Sequence, residues 1–173
     1  MATLGDRLVT FTGLSKPDRS PRSARRALTE HDRRDTEPSM SRQNVDIVRH
    51  SLEAFARGDF DAAFAAHDPA SEWRTAADEP DRQVYRGVAG RRRFVDSIEE
   101  LWEDRFAGST VFEDYIERGD WVVVPWRARL HGRTSGIAVD VTETYAVQVR
   151  DSKIVCVEEY RHADDAFARV ERS

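Results

Sequence analysis

The chain has 173 residues, of which 39% are hydrophobic and 34% charged, and this composition suits one soluble domain with an ordinary core. No apolar run approaches the ~20 residues that a membrane span needs, and the N-terminus lacks the pattern of a secretory signal, so no membrane partner is expected. The single cysteine, Cys156, excludes an internal disulfide and a multi-cysteine metal site, and it favours a cytoplasmic location.

Charge is unevenly distributed along the chain. The formal net charge is −5, and residues 1–39 hold eight basic and six acidic side chains, so residues 40–173 carry 19 basic against 26 acidic side chains. Such an acidic body argues against nucleic acid as a partner. Residues 1–39 combine three of the six prolines with a dense run of Arg, Ser and Asp, which predicts a disordered tail. The alternative is a basic arm that folds on a partner. Residues 40–173 are expected to form the folded domain.

Two helices and a short strand are predicted at the start of this domain. From Ser41 a helical pattern runs to Gly58, and its apolar positions are Val45, Val48, Leu52 and Phe55. Asp59 is placed to cap a short second helix, which the Asp68-Pro69 pair would end because the residue before proline avoids the helical region. Residues 71–76 read as a short strand and residues 77–86 as a polar loop.

The third predicted helix opens at Gly87 or Gly90. Its apolar positions recur at helical spacing and are Phe94, Ile98, Leu101 and Trp102. Three arginines, Arg91 to Arg93, lie near its N-terminus. They are expected to form a solvated face, with an anion site as the alternative.

Four strands and a last helix follow. Residues 110–118 form the first expected strand, and residues 121–131 form the second after a Gly-Asp turn. Residues 136–150 and 153–161 form the other two, joined by a turn at Asp151-Ser152. Either Asp164 or Asp165 is expected to cap the terminal helix. Helices followed by a meander of strands predict an α+β fold, in which one curved antiparallel sheet wraps its apolar face over the helices.

The strand at residues 136–150 alternates more regularly than any other. One side carries only apolar or aromatic residues apart from one carboxylate, Glu143; the others are Ile137, Val139, Val141, Tyr145, Val147 and Val149. Burying a carboxylate without a partner is costly, so Glu143 is expected either at a wet rim or in a pocket.

Several segments resemble the nuclear-transport-factor-2-like superfamily and, within it, the SnoaL-like polyketide cyclase group. They are ARGDFDAAF at 56–64, DPASEWRT at 68–75, VYRGVAGRRRF at 84–94, IERGDWVVV at 116–124 and RDSKIVCVEEYRHADDAF at 150–167. The resemblance covers about residues 44–171 and rests on the order and spacing of these segments.

This resemblance implies a cone of curved sheet closed by the N-terminal helices, with an apolar internal cavity. It also implies a small hydrophobic ligand, no cofactor, and a homodimer formed through the outer face of the sheet. Related proteins include ketosteroid isomerase, cyclases, dehydratases, epoxide hydrolases and domains without catalytic activity, so the fold leaves the reaction open.

Ketosteroid isomerase pairs an aspartate base with an oxyanion hole made of a tyrosine and a protonated aspartate. The matching positions in this chain are Ser51 for the tyrosine, Arg74 or Thr75 for the base, and Tyr145 for the protonated aspartate. Because none of the three groups is kept, steroid isomerisation is not the expected activity.

The resemblance instead points to other polar groups on the cavity wall. Glu143 is the candidate proton carrier, since apolar neighbours would raise its basicity, and Tyr145 is the candidate donor to an oxyanion. On the last strand Val155 and Val157 are expected to point inward, which would bring Glu159 and Arg161 to the cavity mouth. The other candidate ligand contacts are Trp73, Thr75, Asp78, Tyr85, Trp102 and Trp126.

Each assignment has a structural alternative. In the structural alternative, Glu143 forms an ion pair with an arginine such as Arg127 or Arg161. The aromatic residues then belong to the core, and Asp78 caps a turn. His162 lacks metal-ligand spacing with its neighbouring aspartates, so no metal is expected. Two hypotheses therefore stand: a cofactor-independent isomerase, cyclase, dehydratase or hydrolase, and a non-catalytic module for ligand binding or dimerisation.

Overall fold

The structure is a computed structural model that describes residues 42–77, 82–103 and 108–173. The predicted tail at residues 1–39 and the candidate ligand contact Asp78 lie outside the described residues. Within the described ranges, no helix has the length and apolar character required to cross a membrane.

Four helices occur in the described ranges. Helix α1 covers residues 42–56, α2 Phe60–Phe64, α3 Gly87–Leu101 and α4 Ala163–Val170. The chain leaves α1 at Gly58, whose φ of +75° suits glycine. Asp59 then caps α2, since its Oδ1 accepts a hydrogen bond from the amide of Ala62 at 3.1 Å. Both features match the sequence-based expectation.

Seven strands of the described part of the chain form one sheet. They are β1 (His67–Arg74), β2 (Val84–Arg86), β3 (Val111–Phe112), β4 (Ile116–Arg118), β5 (Trp121–His131), β6 (Ala138–Arg150) and β7 (Lys153–Tyr160). Their order across the sheet is β2-β1-β7-β6-β5-β3, and β4 also pairs with β5. All pairings are antiparallel except that of β1 with β7, which is parallel. The predicted α+β class, with helices and one curved sheet, is confirmed.

The sheet buries side chains on both faces. On the inner face, Val122 and Val124 of β5 join one apolar cluster with Leu52 and Phe55 of α1 and Phe94 of α3. Each such side chain contributes about 1.5–3 kcal/mol when fully buried. On the outer face, α4 covers the end of the sheet formed by other residues of β5 and β6; this second cluster contains Trp121, Val123, Ala146, Ala166 and Val170. The inner face packs against α1 and α3, and the cavity described below lies beside α3.

The start of β1 differs from the expectation. The strand begins at His67 rather than at residue 71, and α2 already ends at Phe64, so Asp68-Pro69 does not end the helix. The pairing of β1 with β7 is irregular between His67 and Glu72. Pro69 lies inside this irregular stretch, where its missing N–H costs no regular ladder hydrogen bond.

The expected single strand at residues 110–118 is two strands. Both β3 and β4 pair with β5, and between them the Glu113 amide donates to the carbonyl of Pro125 at 3.0 Å. Because Pro125 has no N–H, β5 has no backbone donor at that position and the ladder is interrupted.

Three further expectations are wrong in detail. Helix α4 starts at Ala163 with His162 at its N-cap, and neither neighbouring aspartate serves as the cap residue. On β7 the pairing shifts next to Val155, so that Ile154 rather than Val155 enters the core with Val157. A one-residue shift of this kind exchanges the two faces of a strand. The strand predicted to begin at residue 136 begins at Ala138, and Ile137 and Val139 at this end of the apolar series are 63% and 42% exposed.

Arg91 is also placed differently from the expectation of a solvated face. Its side chain is buried, whereas Arg92 and Arg93 are exposed. The spacing explains this, because Arg91 precedes Phe94, Val95 and Ile98 by three, four and seven residues and therefore shares their buried face of α3.

Candidate functional site

A cavity of about 580 Å³ lies between the inner face of the sheet and α3. The sheet wall contains Trp126 and Leu130 from β5, Val141, Glu143 and Tyr145 from β6, and Glu159 from β7. The register of the strands explains this grouping. Trp126 lies opposite Glu143, and Tyr145 lies opposite Glu159, so side chains with a period of two from three adjacent strands converge on one wall.

Helix α3 supplies the opposite wall. Phe94, Ser97, Ile98 and Leu101 line the cavity at helical spacing. The hydroxyl of Ser97 donates to the carbonyl of Phe94 at 2.7 Å, which satisfies its proton within the helix. This wall is therefore mainly apolar.

Trp102 completes the helix wall at the point where α3 ends. Its backbone is extended, with φ −119° and ψ 135°, and forms a bridge with Gly132. The guanidinium of Arg133 donates to the carbonyls of Glu99 at 2.6 Å and Trp102 at 3.1 Å. A cation hydrogen-bonded to the last carbonyls stabilises the helix end, and it holds Trp102 at the cavity edge.

Thr75, Gln83, Tyr85 and Arg161 line the rest of the cavity. Thr75 and Gln83 are joined by three hydrogen bonds. The Gln83 amide donates to the Thr75 hydroxyl at 2.8 Å, while the Gln83 carbonyl accepts from the Thr75 amide at 3.1 Å and from the Thr75 hydroxyl at 3.5 Å. Gly90 lets α3 approach β2 directly, because a Cβ at this position would lie 2.6 Å from the carbonyl carbon of Tyr85. Both contacts fix the backbone beside the cavity.

Tyr145 is the most deeply buried ionisable group of the cavity, with 3% of its surface exposed. Its ring stacks on Trp126 with 5.2 Å between centroids, and Trp73 meets it edge-on at 5.6 Å. Burial raises the pKa of Tyr145 well above its ordinary value, and the negative charges of Glu159 and Glu143 raise that pKa further. The phenol is therefore protonated at neutral pH and can act as a hydrogen-bond donor.

Trp73 does not line the cavity, contrary to the expectation of an aromatic wall. It lies in the core behind the wall, with its ring centroid 5.5 Å from that of Phe55 and 4.4 Å from that of Phe94. Its indole Nε1 donates to Oε1 of Glu159 at 2.7 Å. Trp73 thus contacts a cavity residue without facing the cavity itself.

Eight of the ten candidate site residues line this one cavity. They are Thr75, Tyr85, Trp102, Trp126, Glu143, Tyr145, Glu159 and Arg161. Placement in a cavity does not establish their roles, which remain predictions. Gln83 and Ser97 were missed. Ser97 could have been found from its spacing of three residues after Phe94, whereas the loop position of Gln83 gives no periodic signal.

Two of the positions that match the isomerase groups do not face the cavity. Ser51 is buried in α1, where its hydroxyl donates to the carbonyl of Ala63 at 2.7 Å. Arg74 pairs with Glu158 at 2.7 Å and with Glu72 at 2.6 Å. The cavity therefore differs from the isomerase site in arrangement as well as in residue type.

Across the described ranges, no group of three or more His, Cys, Asp or Glu side chains is placed to hold a metal ion. Cys156 is buried and free, and burial raises the pKa of its thiol to about 11. A thiol in this state is a poor nucleophile at neutral pH. The ionisable groups that line the cavity are Tyr85, Glu143, Tyr145, Glu159 and Arg161.

An open curved sheet, wrapped around helices with a cavity between them, defines a nuclear-transport-factor-2-like fold. The sequence profile of the SnoaL-like domain matches residues 48–157, and the chain belongs to that family. A comparison with curated proteins gives no significant match.

Solved structures share this fold. An NTF2-like protein from Burkholderia xenovorans LB400 aligns over 75% of this chain and 96% of its own, with 23% identity and a TM-score of 0.58. A protein of Mesorhizobium loti assigned to the SnoaL-like polyketide cyclases aligns over 66% and 96%, with 19% identity and a TM-score of 0.56. TerC, co-crystallised with polyporic acid, aligns over 76% and 99%, with 20% identity and a TM-score of 0.58. At these identities the likeness concerns the fold.

Proposed function

We propose that the protein binds a small, largely apolar molecule in this cavity and carries out acid–base chemistry on it without a cofactor. The reaction class is isomerisation, cyclisation, dehydration or hydrolysis. The observation that supports this proposal most directly is the position of Glu143 and Tyr145. They lie two residues apart on one face of β6 and line a cavity whose helix wall is mainly apolar.

In this proposal Glu143 carries the proton. In an isomerisation, cyclisation or dehydration its carboxylate removes a proton from a carbon next to a carbonyl group and returns it to another atom of the same molecule, which in dehydration is the oxygen of the departing hydroxyl group. In a hydrolysis it takes the proton from water and passes it to the leaving group. A positioned base of this kind contributes about 10²–10⁴-fold to the rate. Glu143 lies opposite Trp126 on the neighbouring strand and on the face of β6 that also carries Val141, and its side chain is half-buried.

Tyr145 is the proposed donor to the oxygen on which negative charge develops. Its raised pKa keeps the phenol protonated, and its burial between aromatic rings fixes its position. A donor that is oriented before the reaction needs no reorganisation when the charge appears. The co-crystallisation of TerC with polyporic acid is consistent with a small-molecule ligand in this fold.

A thermal-shift screen of apolar hydroxyl and carbonyl metabolites tests the binding proposal. A ligand present at 100 times its Kd adds about 2.7 kcal/mol to the free energy of unfolding. Turnover of each hit is then followed with Glu143→Gln and Tyr145→Phe, and Glu171→Gln, which lies just beyond α4, serves as the charge-matched control. We expect both cavity variants to lose about 10²-fold or more in kcat. Unchanged turnover in Glu143→Gln rejects its role as the proton carrier.

A non-catalytic binding role is the second candidate. The contacts of Tyr145 with Trp73 and Trp126 are those of a core aromatic residue, which favours a structural role for this side chain. In that case wild type and both variants, Tyr145→Phe and Glu143→Gln, bind the compounds found in the screen but convert none of them.

We also propose that two copies associate through the outer face of the sheet. Helix α4 covers one end of this face, and the other end carries exposed Arg129 and Asp140, which pair at 3.2 Å. In a two-fold interface such a charge pair can also be exchanged between copies. Sedimentation velocity should show a dimer that Arg129→Glu weakens and the double change with Asp140→Arg restores. A monomer at all concentrations overturns this proposal.

A further inference from the structure

The two carboxylates of the cavity flank Tyr145 in different ways. Glu159 lies directly opposite Tyr145 on the neighbouring strand, while Glu143 is two residues away on the same strand. Directly opposed residues on neighbouring strands typically have about 5 Å between their Cβ atoms, so Glu159 is a direct cross-strand neighbour of Tyr145. The sheet wall presents two acidic groups around one phenol.

The carboxylate of Glu159 is held by a hydrogen bond from the core side of the sheet wall. Its Oε1 accepts the indole N–H of Trp73 at 2.7 Å, and Trp73 is 2% exposed and packs against both Phe55 and Phe94. A rigid, buried donor of this kind restricts the rotation of the carboxylate. Trp73, which does not line the cavity, thus restricts the orientation of Glu159.

The charge of the cavity is also unequal. Glu143 and Glu159 are half-buried, whereas Arg161 is exposed. Two formal negative charges against one positive charge disfavour an anionic ligand at the sheet wall. An ammonium ligand is disfavoured for another reason, because it would lose its hydration shell on entering between the aromatic side chains. Thr75 and Ser97 already bond to the backbone. A neutral group that donates a hydrogen bond best matches this wall.

Resting on the proposed function, we infer that the ligand is an uncharged compound whose hydroxyl group donates to Glu159, and that Trp73 is the positioning residue for this contact. Glu159 then selects hydroxylated ligands over ethers and carboxylates of the same shape. This adds a specificity determinant to the proton carrier Glu143 and the donor Tyr145.

Three naphthalene compounds of similar shape test the inference by calorimetric titration. 2-Naphthol carries the hydroxyl, 2-methoxynaphthalene lacks the donor, and 2-naphthoate carries a negative charge. With wild type we expect 2-naphthol to bind about tenfold more tightly than the ether, because a hydrogen bond to a charged group is lost with the methyl ether. Binding of 2-naphthoate should be the weakest.

Variants separate the two residues. Glu159→Gln keeps an acceptor for the indole of Trp73 but removes the charge, so 2-naphthol should bind about tenfold more weakly and 2-naphthoate more tightly. Trp73→Phe removes the indole N–H and should lower the preference for 2-naphthol over the ether by several-fold, with the affinity for the ether unchanged. A purely structural effect would weaken both compounds equally. Trp121→Phe and Glu171→Gln, on the far side of the sheet, are the matched controls.

The outcomes distinguish this inference from the function on which it rests. Equal affinity of wild type for 2-naphthol and 2-methoxynaphthalene overturns the inference and leaves ligand binding in the cavity intact. So does an unchanged preference in Glu159→Gln. Because the comparison in wild type needs no variant, it decides the question even when a variant does not fold. Failure of all three compounds to bind overturns the proposed binding function as well.

Discussion

The guanidinium of Arg91 on α3 donates to the hydroxyl of Ser71 on β1, with 2.6 Å between Nη1 and Oγ. The same nitrogen donates to the carbonyl of Asp68 at 3.0 Å. These acceptors lie in the irregular stretch of β1, where backbone groups are not paired regularly with β7. A buried arginine therefore replaces missing ladder contacts and joins the helix wall of the cavity to the sheet.

Replacement of Arg91 by methionine should lower the free energy of unfolding by about 2–4 kcal/mol. The change removes two hydrogen bonds from a charged donor and leaves buried acceptors without them. Urea unfolding measures the effect. Arg93→Met, on the exposed face of the same helix, should change stability by no more than about 0.5 kcal/mol. Equal losses in the two variants would show that the contacts of Arg91 do not stabilise the fold.

We expect the buried His67 to cause a loss of stability on acidification. Burial, and then the charge of Arg91, lower the pKa of His67 from 6.5 to about 3. The hydroxyl of Ser51 donates to Ala63, so its oxygen accepts from Nε2–H of the neutral ring at 3.3 Å. Below pH 6.5 the unfolded chain binds a proton that the folded chain rejects. The stability that His67 contributes is therefore present above 6.5 and is lost as pH falls toward 3.

The pH dependence of His67→Gln tests this sign. The free-energy difference between wild type and variant should fall by about 3 kcal/mol from about pH 7 to about pH 4, because the variant has no such proton to reject. Urea titrations at several pH values provide the measurement. A difference that is constant with pH contradicts a neutral, buried His67.

Much of the fold could be predicted because alternation and helical spacing report burial directly. The bounds of β5 were predicted at residues 121–131, and the buried face of Val122, Val124 and Trp126 follows from its period of two. Ile137 and Val139 continue the alternation of β6 yet are exposed. Alternation gives the face of a strand but not the point at which the covering helix ends, and α3 ends at Leu101.

The irregular parts could not be predicted from periodicity. The register shift near Val155 moves Ile154 into the core, and such a one-residue irregularity leaves the average alternation of a strand almost unchanged. The same limit applies to the site. Glu143 and Tyr145 could be placed by parity, whereas the hydrogen bond from Trp73 to Glu159 joins residues 86 positions apart. Their pairing depends on the parallel contact between β1 and β7.

Glu158 should be the most sensitive carboxylate on the outer face of the sheet. It is 5% exposed and accepts from Arg74 at 2.7 Å, from the hydroxyl of Tyr160 at 2.7 Å and from Nη2 of Arg169 at 3.4 Å. Nε of Arg169 also forms an ion pair with it at 3.1 Å. Glu158→Gln removes the charge between two arginines and should lower the free energy of unfolding by about 2–3 kcal/mol, since both arginines are partly solvated.

Two measurements check this prediction. Urea unfolding gives the loss of stability, and amide hydrogen exchange should become faster in α4, which Arg169 attaches to the sheet. The control is Glu113→Gln, whose partner Arg127 lies 3.5 Å away with both side chains exposed. It should cost no more than about 0.5 kcal/mol. A similar cost for the two changes would rule out a special contribution of Glu158.

Filling the cavity should abolish ligand binding without unfolding the protein. Val141 lines the cavity and is half-buried, whereas Val139 lies two residues farther along the same face of β6, outside the lining, and is 42% exposed. In Val141→Trp the indole should occupy space that the ligand needs, and binding of 2-naphthol or of any screening hit should weaken by more than about tenfold. In Val139→Trp the same side chain projects toward solvent, so affinity should stay within about twofold of wild type.

Calorimetric titration of both variants, with thermal unfolding to verify the fold, makes the comparison. Equal affinities in the two variants would place the ligand elsewhere, because only one of the two tryptophans enters the cavity.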